Sequence, residues 1–431
     1  MRWLQNVGWL LGAQLASLPF QVAVVWLAAR GLGPADFGRF QAIVSLVWLV
    51  ALMVQFGQVS SVIYHVRSGA MELTQGLTWS VLVWCVSSTV ACLGLWVCEA
   101  WVREELLLGV DEATYRWVLF FVPVLLAMQL LGGLARALDR FRLWAETLTL
   151  QQGARAMCLL VALWWSPEDL LAACVALCVA QCAAALYSAR VAVWIGGWAW
   201  LRAQQSRAAL RYGLETYAYV VAAQLHERVD LFLIAAVRAD PVEVAVYGVA
   251  TQIANRVRML PVSLGGALFP ELADRKTGNP VRLTAKVIRA TIWAVVGVGV
   301  VLCFLVPWVV PVALGDTYEA VVGPFAVLLV GTVFYSVQIV LARHFQAVDR
   351  QRWVVVVQWF ALGVHLTLNA MWLPTWGALG AAMASACSYA VLASLLLALF
   401  VVREGATLRE LTPGLADARR LREEVLSRWR A

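Results

Sequence analysis

A short run of ionisable residues lies inside an otherwise apolar stretch of the chain. Within five positions the sequence places His226, Glu227, Arg228 and Asp230. Side chains of these types can move protons, bind cations or hold an anionic ligand. In lipid a charged side chain costs on the order of 3 kcal/mol or more unless it faces protein or water. What these groups can do therefore depends on whether the stretch crosses a membrane.

The composition is typical of a membrane protein. Hydrophobic residues make up 62% of the chain, charged residues make up 14%, and the mean hydropathy is +0.77. Soluble proteins carry about a quarter charged residues. Apolar runs long enough to cross a hydrocarbon core of about 30 Å recur along the sequence. We predict an all-α polytopic membrane protein with twelve transmembrane helices, over residues 6–30, 40–65, 76–98, 116–136, 146–165, 170–195, 212–237, 243–268, 286–310, 320–342, 353–373 and 376–401.

The positions of Lys and Arg predict the orientation of these helices. Most of the 33 Lys and Arg side chains fall in loops on the side that holds both termini, and cytoplasmic loops carry such an excess. We therefore predict a multi-pass protein of the cytoplasmic (inner) membrane with both termini in the cytoplasm. Basic loops facing anionic lipid headgroups account for the net charge of +7, so membrane lipids are the expected partners and nucleic acid is not.

The twelve spans divide into two six-helix lobes around a central hydrophilic cavity. We predict an N-terminal lobe over 1–201, a cytoplasmic linker over 202–211, a C-terminal lobe over 212–402 and an amphipathic cytoplasmic tail over 403–431. A solvated tail helix without function is an equal alternative. The segments Arg30–Phe40 and Arg238–Gly248 support the division, since each runs from Arg through Pro and an acidic residue to an aromatic–Gly pair. With six helices in each half, the repeats would be parallel.

Motifs of enzyme chemistry are missing from the sequence. It contains no Gly-rich phosphate loop, no His-Glu-x-x-His and no nucleophile elbow. Its nine cysteines include no Cys-x-x-Cys pair and fall within or at the ends of apolar spans, where small residues pack helices together. We therefore expect no metal, no cofactor and no enzymatic activity. A membrane glycan polymerase or ligase is an alternative, but such enzymes usually need a substantial outer loop.

Two arginines in the eighth span indicate an anionic ligand. Arg256 and Arg258 have no acidic residue near them in the sequence before Glu271, and the guanidinium fork matches phosphate oxygens. The alternative is that the helix ends early and both side chains extend to the cytoplasm. The candidates for binding a diphosphate or lining the cavity are Arg155, Arg228, Gln252, Asn255, Arg256 and Arg258.

Titratable groups inside the spans indicate coupling to a proton or sodium gradient. His365 lies one turn from Asn369 in the eleventh span, although a lone histidine in a membrane is more often a hydrogen-bonded packing residue. In the same way, pairing of Glu227 or Asp230 with Arg228 would make that cluster purely structural. The candidates for ion coupling are Glu215, His226, Glu227, Asp230 and His365.

Several short segments occur in the order and spacing of a known family. They are Ala29–Gly38, Gln55–Gly57, Arg228–Ile234, Tyr247–Ala250 and Leu260–Leu272. With its length and number of spans, the whole chain resembles the polysaccharide (Wzx-type) flippases of the multidrug/oligosaccharidyl-lipid/polysaccharide exporter superfamily. One departure is the loop that begins at Arg238, which lacks the usual glycine before the acidic–aromatic step.

The resemblance implies two lobes around a cavity that opens alternately to either side of the membrane. It implies that polyprenyl-diphosphate-linked oligosaccharides are turned from the inner to the outer leaflet, with a polysaccharide polymerase and glycosyltransferases as partners. The family uses cavity arginines for the diphosphate, which Arg256 and Arg228 match by location only. The sequence leaves three competing functions open, a drug or organic-cation exporter of the same fold, the membrane glycan polymerase or ligase, and a non-transporting scaffold.

Overall fold

Helices joined by short loops make up the structure, a computed structural model that describes residues 2–138, 140–273, 279–348, 350–407 and 411. These residues contain no β-strand, and the predicted all-α fold class is confirmed. A π-helical turn (Val102–Leu106) follows the short helix α4, and a 3₁₀ turn (Asp316–Val321) precedes α12. The helices are α1 (Arg2–Val54), α2 (Gln58–Arg67), α3 (Leu73–Val97), α4 (Glu99–Trp101), α5 (Glu112–Ala137), α6 (Phe141–Trp165), α7 (Leu170–Ser188), α8 (Arg190–Ile195), α9 (Ala203–Arg238), α10 (Pro241–Ala273), α11 (Pro280–Leu314), α12 (Val322–Ala347) and α13 (Gln351–Glu404).

Glycines divide the two longest helices. Helix α1 has 53 residues and α13 has 54, more than twice the roughly 20 residues that cross a bilayer. Each contains one glycine with a positive φ, +74° at Gly33 and +53° at Gly377, where a side chain would be strained. Each predicted span coincides with a described helix or with one arm of a divided helix, apart from short breaks. One such break, at residues 55–57, separates α1 from α2 within the span 40–65.

Seven of the described helices are long and apolar enough to cross a membrane. Helices α6, α9 and α10 are not among the seven, because charged residues interrupt their apolar runs. The same three helices carry all four arginine candidates for ligand binding. The seven are Gly12–Val54, Leu73–Val97, Glu112–Ala137, Leu170–Ile195, Pro280–Leu314, Asp316–Ala347 and Gln351–Glu404.

The chain divides into two compact units. The first unit comprises Met1–Gln224 with Ala239–Ala245, and the second unit comprises Leu225–Arg238 with Val246–Ala431. The predicted lobe boundaries around the linker 202–211 stay a prediction. Most of the predicted amphipathic tail lies outside the described residues.

Helix α6 packs against both α1 and α7 in the first unit, and α5 packs against α7 and α3. Polar side chains tie the shorter α2 into this bundle. The Ser61 hydroxyl donates to the Ala209 carbonyl oxygen at 2.7 Å, and Trp79 Nε1 donates to Gln58 Oε1 at 3.1 Å. Buried donors are paired in this way because an unpaired one costs about 1–3 kcal/mol.

A close backbone contact explains the glycine that ends the Pro-Ala-Asp-Phe-Gly motif. Gly38 of α1 lies against the backbone of Pro241, so that an added Cβ would stand 1.8 Å from the Pro241 carbonyl oxygen. No side chain fits at that distance. The glycine of the motif is therefore a packing requirement of the first unit.

In the second unit α12 packs against both α11 and α13. The arms of α13 fold back on each other at Gly377, since His365 Nδ1 lies 3.2 Å from Ser388 Oγ on the other arm. Gly380 permits the turn, because a Cβ there would stand 2.5 Å from the Trp372 carbonyl oxygen. This hairpin brings together polar residues that are far apart in sequence.

All nine cysteines are free, and Cys174 and Cys178 are buried, as expected for small residues in helix packing. Among the described residues, no group of three or more His, Cys, Asp or Glu side chains is placed to hold a metal ion.

We expect Gly38→Ala to lower the melting temperature of the purified protein in detergent. Forcing a Cβ against the Pro241 carbonyl is an overpacking change, worth about 1–3 kcal/mol of unfolding free energy. Gly363→Ala is the matched control, because nothing lies within 4 Å of the added Cβ there. That control should be neutral or stabilise by up to about 1 kcal/mol. Equal melting temperatures for the two variants would contradict the packing role of Gly38.

Candidate functional site

The carboxylate of Asp230, on α9, lies at the centre of a buried polar cluster in the second unit. Its Oδ1 accepts hydrogen bonds from His365 Nε2 at 2.8 Å and from Asn369 Nδ2 at 3.0 Å. Its Oδ2 accepts from Ser385 Oγ at 2.6 Å and from the Tyr247 hydroxyl. Asp230 is only 2% exposed. Donors to both oxygens offset the several kcal/mol that burial of an ionised carboxylate costs.

Three helices supply this cluster. Helix α9 contributes Asp230, α10 contributes Tyr247, and α13 contributes the other donors. Helical spacing on the two arms of α13 points each pair of side chains to the same side. These pairs are His365 with Asn369, one turn apart, and Ser385 with Ser388.

A continuous hydrogen-bonded chain leads from His226 to Asp230. Gln358 Nε2 lies 3.1 Å from His226 Nδ1 and donates to it, so the other ring nitrogen, Nε2, carries the hydrogen in the neutral imidazole. That Nε2 lies 2.7 Å from Ser388 Oγ, which in turn lies 3.2 Å from His365 Nδ1. Since His365 Nε2 contacts Asp230, the carboxylate and both imidazoles share one network.

The Ser388 hydroxyl allows two protonation states of His365. When His365 is neutral, the hydroxyl donates to its Nδ1. When His365 carries a second proton, Nδ1–H donates to the hydroxyl oxygen, and the hydroxyl hydrogen turns to the Ser385 carbonyl oxygen, 2.9 Å away. Neither state leaves a donor of the chain unpaired, which is what a buried group needs to gain and lose a proton at moderate cost.

Aromatic rings connect His226 to Arg258. The His226 ring stacks on Tyr389 with centroids 4.6 Å apart. The Arg258 guanidinium carbon lies 4.8 Å from the Tyr389 ring centre and 4.5 Å from that of Tyr335. Arg258 Nη1 donates to the Tyr389 hydroxyl at 3.3 Å, and the Tyr335 hydroxyl donates to Glu227 at 3.1 Å. Arg258 is therefore held between two rings, each worth about 0.5–2 kcal/mol as a cation–π partner.

The order Ser388, His365, Asp230 is also that of a hydrolytic triad. A nucleophilic serine needs an approach path for the carbonyl that it attacks. Ser388 is fully buried at 0% exposure, and its hydroxyl is surrounded by His226, His365 and the Ser385 carbonyl. The geometry therefore suits proton handling and does not suit acyl transfer.

Two buried charges have partners that are distant in the sequence. Arg258 contacts the rings of Tyr335 and Tyr389. Asp230 pairs with His365. Side chains of α12 and α13 contact the charged segment of α9, so these partners come from other helices.

Arg155 belongs to the first unit and is 8% exposed. Its Nη2 donates to Gln181 Oε1 at 3.1 Å, and the same oxygen accepts from Gln151 Nε2 at 2.7 Å. Its Nε has no acceptor among the described residues. Gln181 of α7 is thus the partner that the sequence did not identify.

The other candidates are more accessible. Arg228, Gln252 and Arg256 are half-buried, and Asn255 is exposed. Glu215 accepts from Arg211 Nε at 2.9 Å in an exposed pair one turn apart. Such pairs are ordinary features of helix surfaces, and this one explains the charge of Glu215 without a coupling role.

Several residues of the cluster were missed by the sequence reasoning. Serines and tyrosines inside apolar spans are common helix-packing residues, so their types gave no signal. The spacing of Ser385 and Ser388 on one face of α13 was the only available hint. The missed residues are Tyr247, Tyr335, Gln358, Ser385, Ser388 and Tyr389.

Two protein-family models match parts of the chain. A family model described as "Polysaccharide biosynthesis protein" matches residues 3–276, and a model described as "MatE" matches residues 220–371. A comparison with curated protein sequences gave no match.

Solved transporter structures share the fold at low sequence identity. The lipid II flippase MurJ, in an inward-closed conformation, matches with a TM-score of 0.75 at 13% identity, over 97% of this chain and 93% of that one. An inward-facing multidrug resistance transporter of the MATE family matches with a TM-score of 0.71 at 14% identity, over 90% and 94%. A transporter from Pyrococcus furiosus matches at 0.64 and 13%, over 93% and 96%. The fold is that of the MOP superfamily, the multidrug/oligosaccharidyl-lipid/polysaccharide exporters.

We expect Asp230 and His365 to be strongly coupled in a double-mutant cycle. Asp230→Asn and His365→Gln should each destabilise the protein, because each leaves the other buried group without its charged partner. The double variant should recover part of the loss, giving a coupling energy of about 1–3 kcal/mol. Denaturant unfolding in detergent micelles measures it. The exposed pair Arg116 and Glu112 is the control and should show a coupling of at most about 0.5 kcal/mol. An additive result for Asp230 and His365 would contradict the pairing.

Proposed function

We propose that this chain, which belongs to the polysaccharide biosynthesis protein family, is a flippase for polyprenyl-diphosphate-linked oligosaccharides. It would move them from the cytoplasmic to the outer leaflet of the inner membrane by alternating access, for cell-surface polysaccharide synthesis. The observation that carries the proposal is the family match over residues 3–276 in a chain with a transporter fold. One protein of similar fold is named a lipid II flippase, which supports a lipid-linked substrate.

Arg256 is the strongest candidate for binding the diphosphate. It is half-buried on α10, beside the exposed Asn255 and one turn from Gln252, so a ligand can reach it and find amide groups nearby. Arg258 is held between two tyrosine rings, and moving it to a phosphate would cost those contacts. We therefore assign Arg258 a secondary role.

The remaining arginine candidates are secondary for different reasons. Arg228 lies two residues before the buried Asp230 and is half-buried. Arg155 is buried in the first unit beside Gln181. Both would add positive potential to the substrate pathway, which attracts a diphosphate without direct contact.

The cluster around Asp230 would couple transport to the proton gradient. Gaining a proton on His365 requires only that the Ser388 hydroxyl turn from Nδ1 to the Ser385 carbonyl. Sodium would instead need oxygen ligands with free lone pairs, whereas both oxygens of Asp230 already accept two hydrogen bonds each. The geometry therefore favours a proton as the coupling ion, with His226 and Glu227 as further members of the network.

A drug or organic-cation exporter is the rival function, supported by the match to the MatE model over residues 220–371. A cationic drug needs an acidic site that is open to it. In the second unit Asp230 is enclosed by donors, and Glu227 accepts from Tyr335. The arginines of α10 would repel a cation, so these contacts favour an anionic substrate.

We also propose an orientation in the membrane and partner enzymes for the protein. Both termini would lie in the cytoplasm. Glycosyltransferases would act on the lipid-linked glycan before the flippase, and a polysaccharide polymerase would act on it afterwards. The polyprenyl chain would remain in the bilayer while the sugars cross through the protein.

We expect Arg256→Ala to slow flipping at least tenfold at normal expression, since a charge-assisted hydrogen bond is worth roughly 1.5–3 kcal/mol. The measurement uses proteoliposomes with a fluorescent polyprenyl-diphosphate-linked disaccharide and a quencher that reaches only the outer leaflet. Arg256→Lys should retain part of the activity. The control Arg116→Ala removes an exposed arginine of α5 and should leave flipping unchanged. Unchanged flipping in Arg256→Ala would overturn the role of Arg256, and transport of ethidium in place of the glycan lipid would favour the exporter.

We expect His365→Gln and Ser388→Ala to uncouple flipping from the proton gradient. Glutamine cannot hold the proton, and alanine removes the hydroxyl that accommodates it. In both variants an imposed pH difference should no longer accelerate flipping, while slow equilibration between leaflets persists. Ser388→Thr keeps the hydroxyl and should keep the acceleration. A response to a sodium gradient that persists without a pH difference would contradict proton coupling.

A further inference from the structure

A cleft on the exposed face of α2 lies in the first unit and shares no residue with the Asp230 cluster. We call it the α2 cleft; it has a volume of about 500 Å³, within the range of roughly 300–1,000 Å³ that small-molecule sites occupy. Helical spacing places its α2 residues on one side of the helix. It is lined by Ser60, Ile63, Tyr64, Arg67, Ser68 and Tyr212.

A rigid aromatic platform forms one wall of the α2 cleft. The rings of Tyr64 and Tyr212 stack with centroids 4.3 Å apart and planes within 9° of parallel. His65 braces both, with its ring nearly perpendicular to each. The His65 ring is itself fixed, because it is 7% exposed and its Nδ1 lies 2.9 Å from the Ser61 carbonyl oxygen. The buried His65 ring thus holds both tyrosine rings in place.

The platform is nevertheless uncovered. Tyr64 is 50% exposed, although a large ring in a folded protein usually packs against other side chains. Tyrosines at a membrane surface also serve as interfacial anchors, but an anchor needs neither a parallel partner nor a brace. A fixed ring with one open face is suited to a flat, partly apolar ligand, such as a sugar ring.

Polar groups stand beside this open face. Arg67 lies at the end of α2, with its guanidinium carbon 5.7 Å from the Phe141 ring centre. The Ser60 hydroxyl is on the exposed side of the helix, and the Ser68 hydroxyl donates to the His65 carbonyl at 3.2 Å, which leaves its oxygen free to accept. A guanidinium with hydroxyls around it matches the oxygens of a phosphate and the hydroxyls of a sugar.

We propose that the α2 cleft binds a glycosyl phosphate, with the sugar on the Tyr64 face and the phosphate at Arg67. A phospholipid headgroup shares the phosphate, but its glycerol has no ring to place on the platform. That the glycosyl phosphate belongs to a transported lipid rests on the proposed function. In that case the α2 cleft is a recognition site for the sugar and phosphate of that lipid, distinct from the proposed Arg256 site.

The test is a titration of the purified full-length protein in detergent, followed by saturation-transfer NMR. The probe is glucose 1-phosphate, and the comparison ligands are glucose, inorganic phosphate and glycerol 3-phosphate. We expect saturable binding of glucose 1-phosphate, roughly tenfold tighter than that of each comparison ligand, because only the probe engages both the ring and the arginine.

Variants identify the contribution of each wall. Tyr64→Leu should weaken glucose 1-phosphate binding about fivefold to tenfold, the value of one aromatic contact, and leave glycerol 3-phosphate binding unchanged. Tyr64→Phe keeps the ring and should keep most of the affinity. Arg67→Gln should reduce the affinity of the phosphorylated sugar to that of glucose. Arg116→Gln, on α5, is the control and should change nothing.

Three results would overturn the proposal. The first is an absence of saturable glucose 1-phosphate binding. The second is an equal affinity for glycerol 3-phosphate, which would identify a lipid-headgroup site. The third is an affinity for glucose 1-phosphate that Tyr64→Leu does not change. Melting temperatures establish that each variant is folded, and Tyr64→Phe guards against a loss caused by misfolding. Flipping without binding in the α2 cleft refutes this inference alone, whereas binding without flipping refutes the flippase function alone.

Discussion

A carboxylate buried among apolar helices must be hydrogen-bonded on both oxygens, and Asp230 imposes this requirement on the second unit. Two donors come from one arm of α13, a third comes from its other arm, and the fourth is Tyr247 of α10. The turn at Gly377 brings donors from both arms of α13 to the Asp230 carboxylate. The packing of α9, α10 and α13 is therefore organised around one charge, because leaving it unsatisfied would cost several kcal/mol.

The hydrogen bonds that satisfy Asp230 also determine whether the cluster can accept a proton. A buried group whose hydrogen bonds are all made can gain or lose a proton easily only if a second arrangement of the network also pairs every donor. The Ser388 hydroxyl supplies one, since it has acceptors on two sides. The hydrogen bonds that stabilise the buried carboxylate would therefore also serve the proposed proton coupling. A transporter needs such a group, because only a site with two states of similar free energy can bias a conformational equilibrium.

The arginines serve different purposes according to their surroundings. Arg258 is enclosed by tyrosine rings and stabilises the packing of α10 against α12 and α13, while Arg256, two residues away, is only half-buried. In the first unit, the packing of Tyr64 and Tyr212 against His65 holds the rings in place while Tyr64 stays half exposed. Packed helices that present a few polar groups rigidly lower the entropic cost of binding a ligand.

The sequence determined the all-α class, the course of the twelve spans and the unusual charges of α6, α9 and α10, because hydropathy and helical periodicity are local properties. It also identified Asp230, His226 and His365 as candidates, since a charge in an apolar run is conspicuous. Only the tertiary structure decided that Asp230 pairs with His365, that Arg258 has aromatic partners and that Ser388 links two histidines. Those contacts join residues up to 162 positions apart, and serine or tyrosine in an apolar helix looks the same in the sequence whether it packs, bonds or binds. The partner of a buried group is set by which helices pack together, and local sequence does not encode that choice.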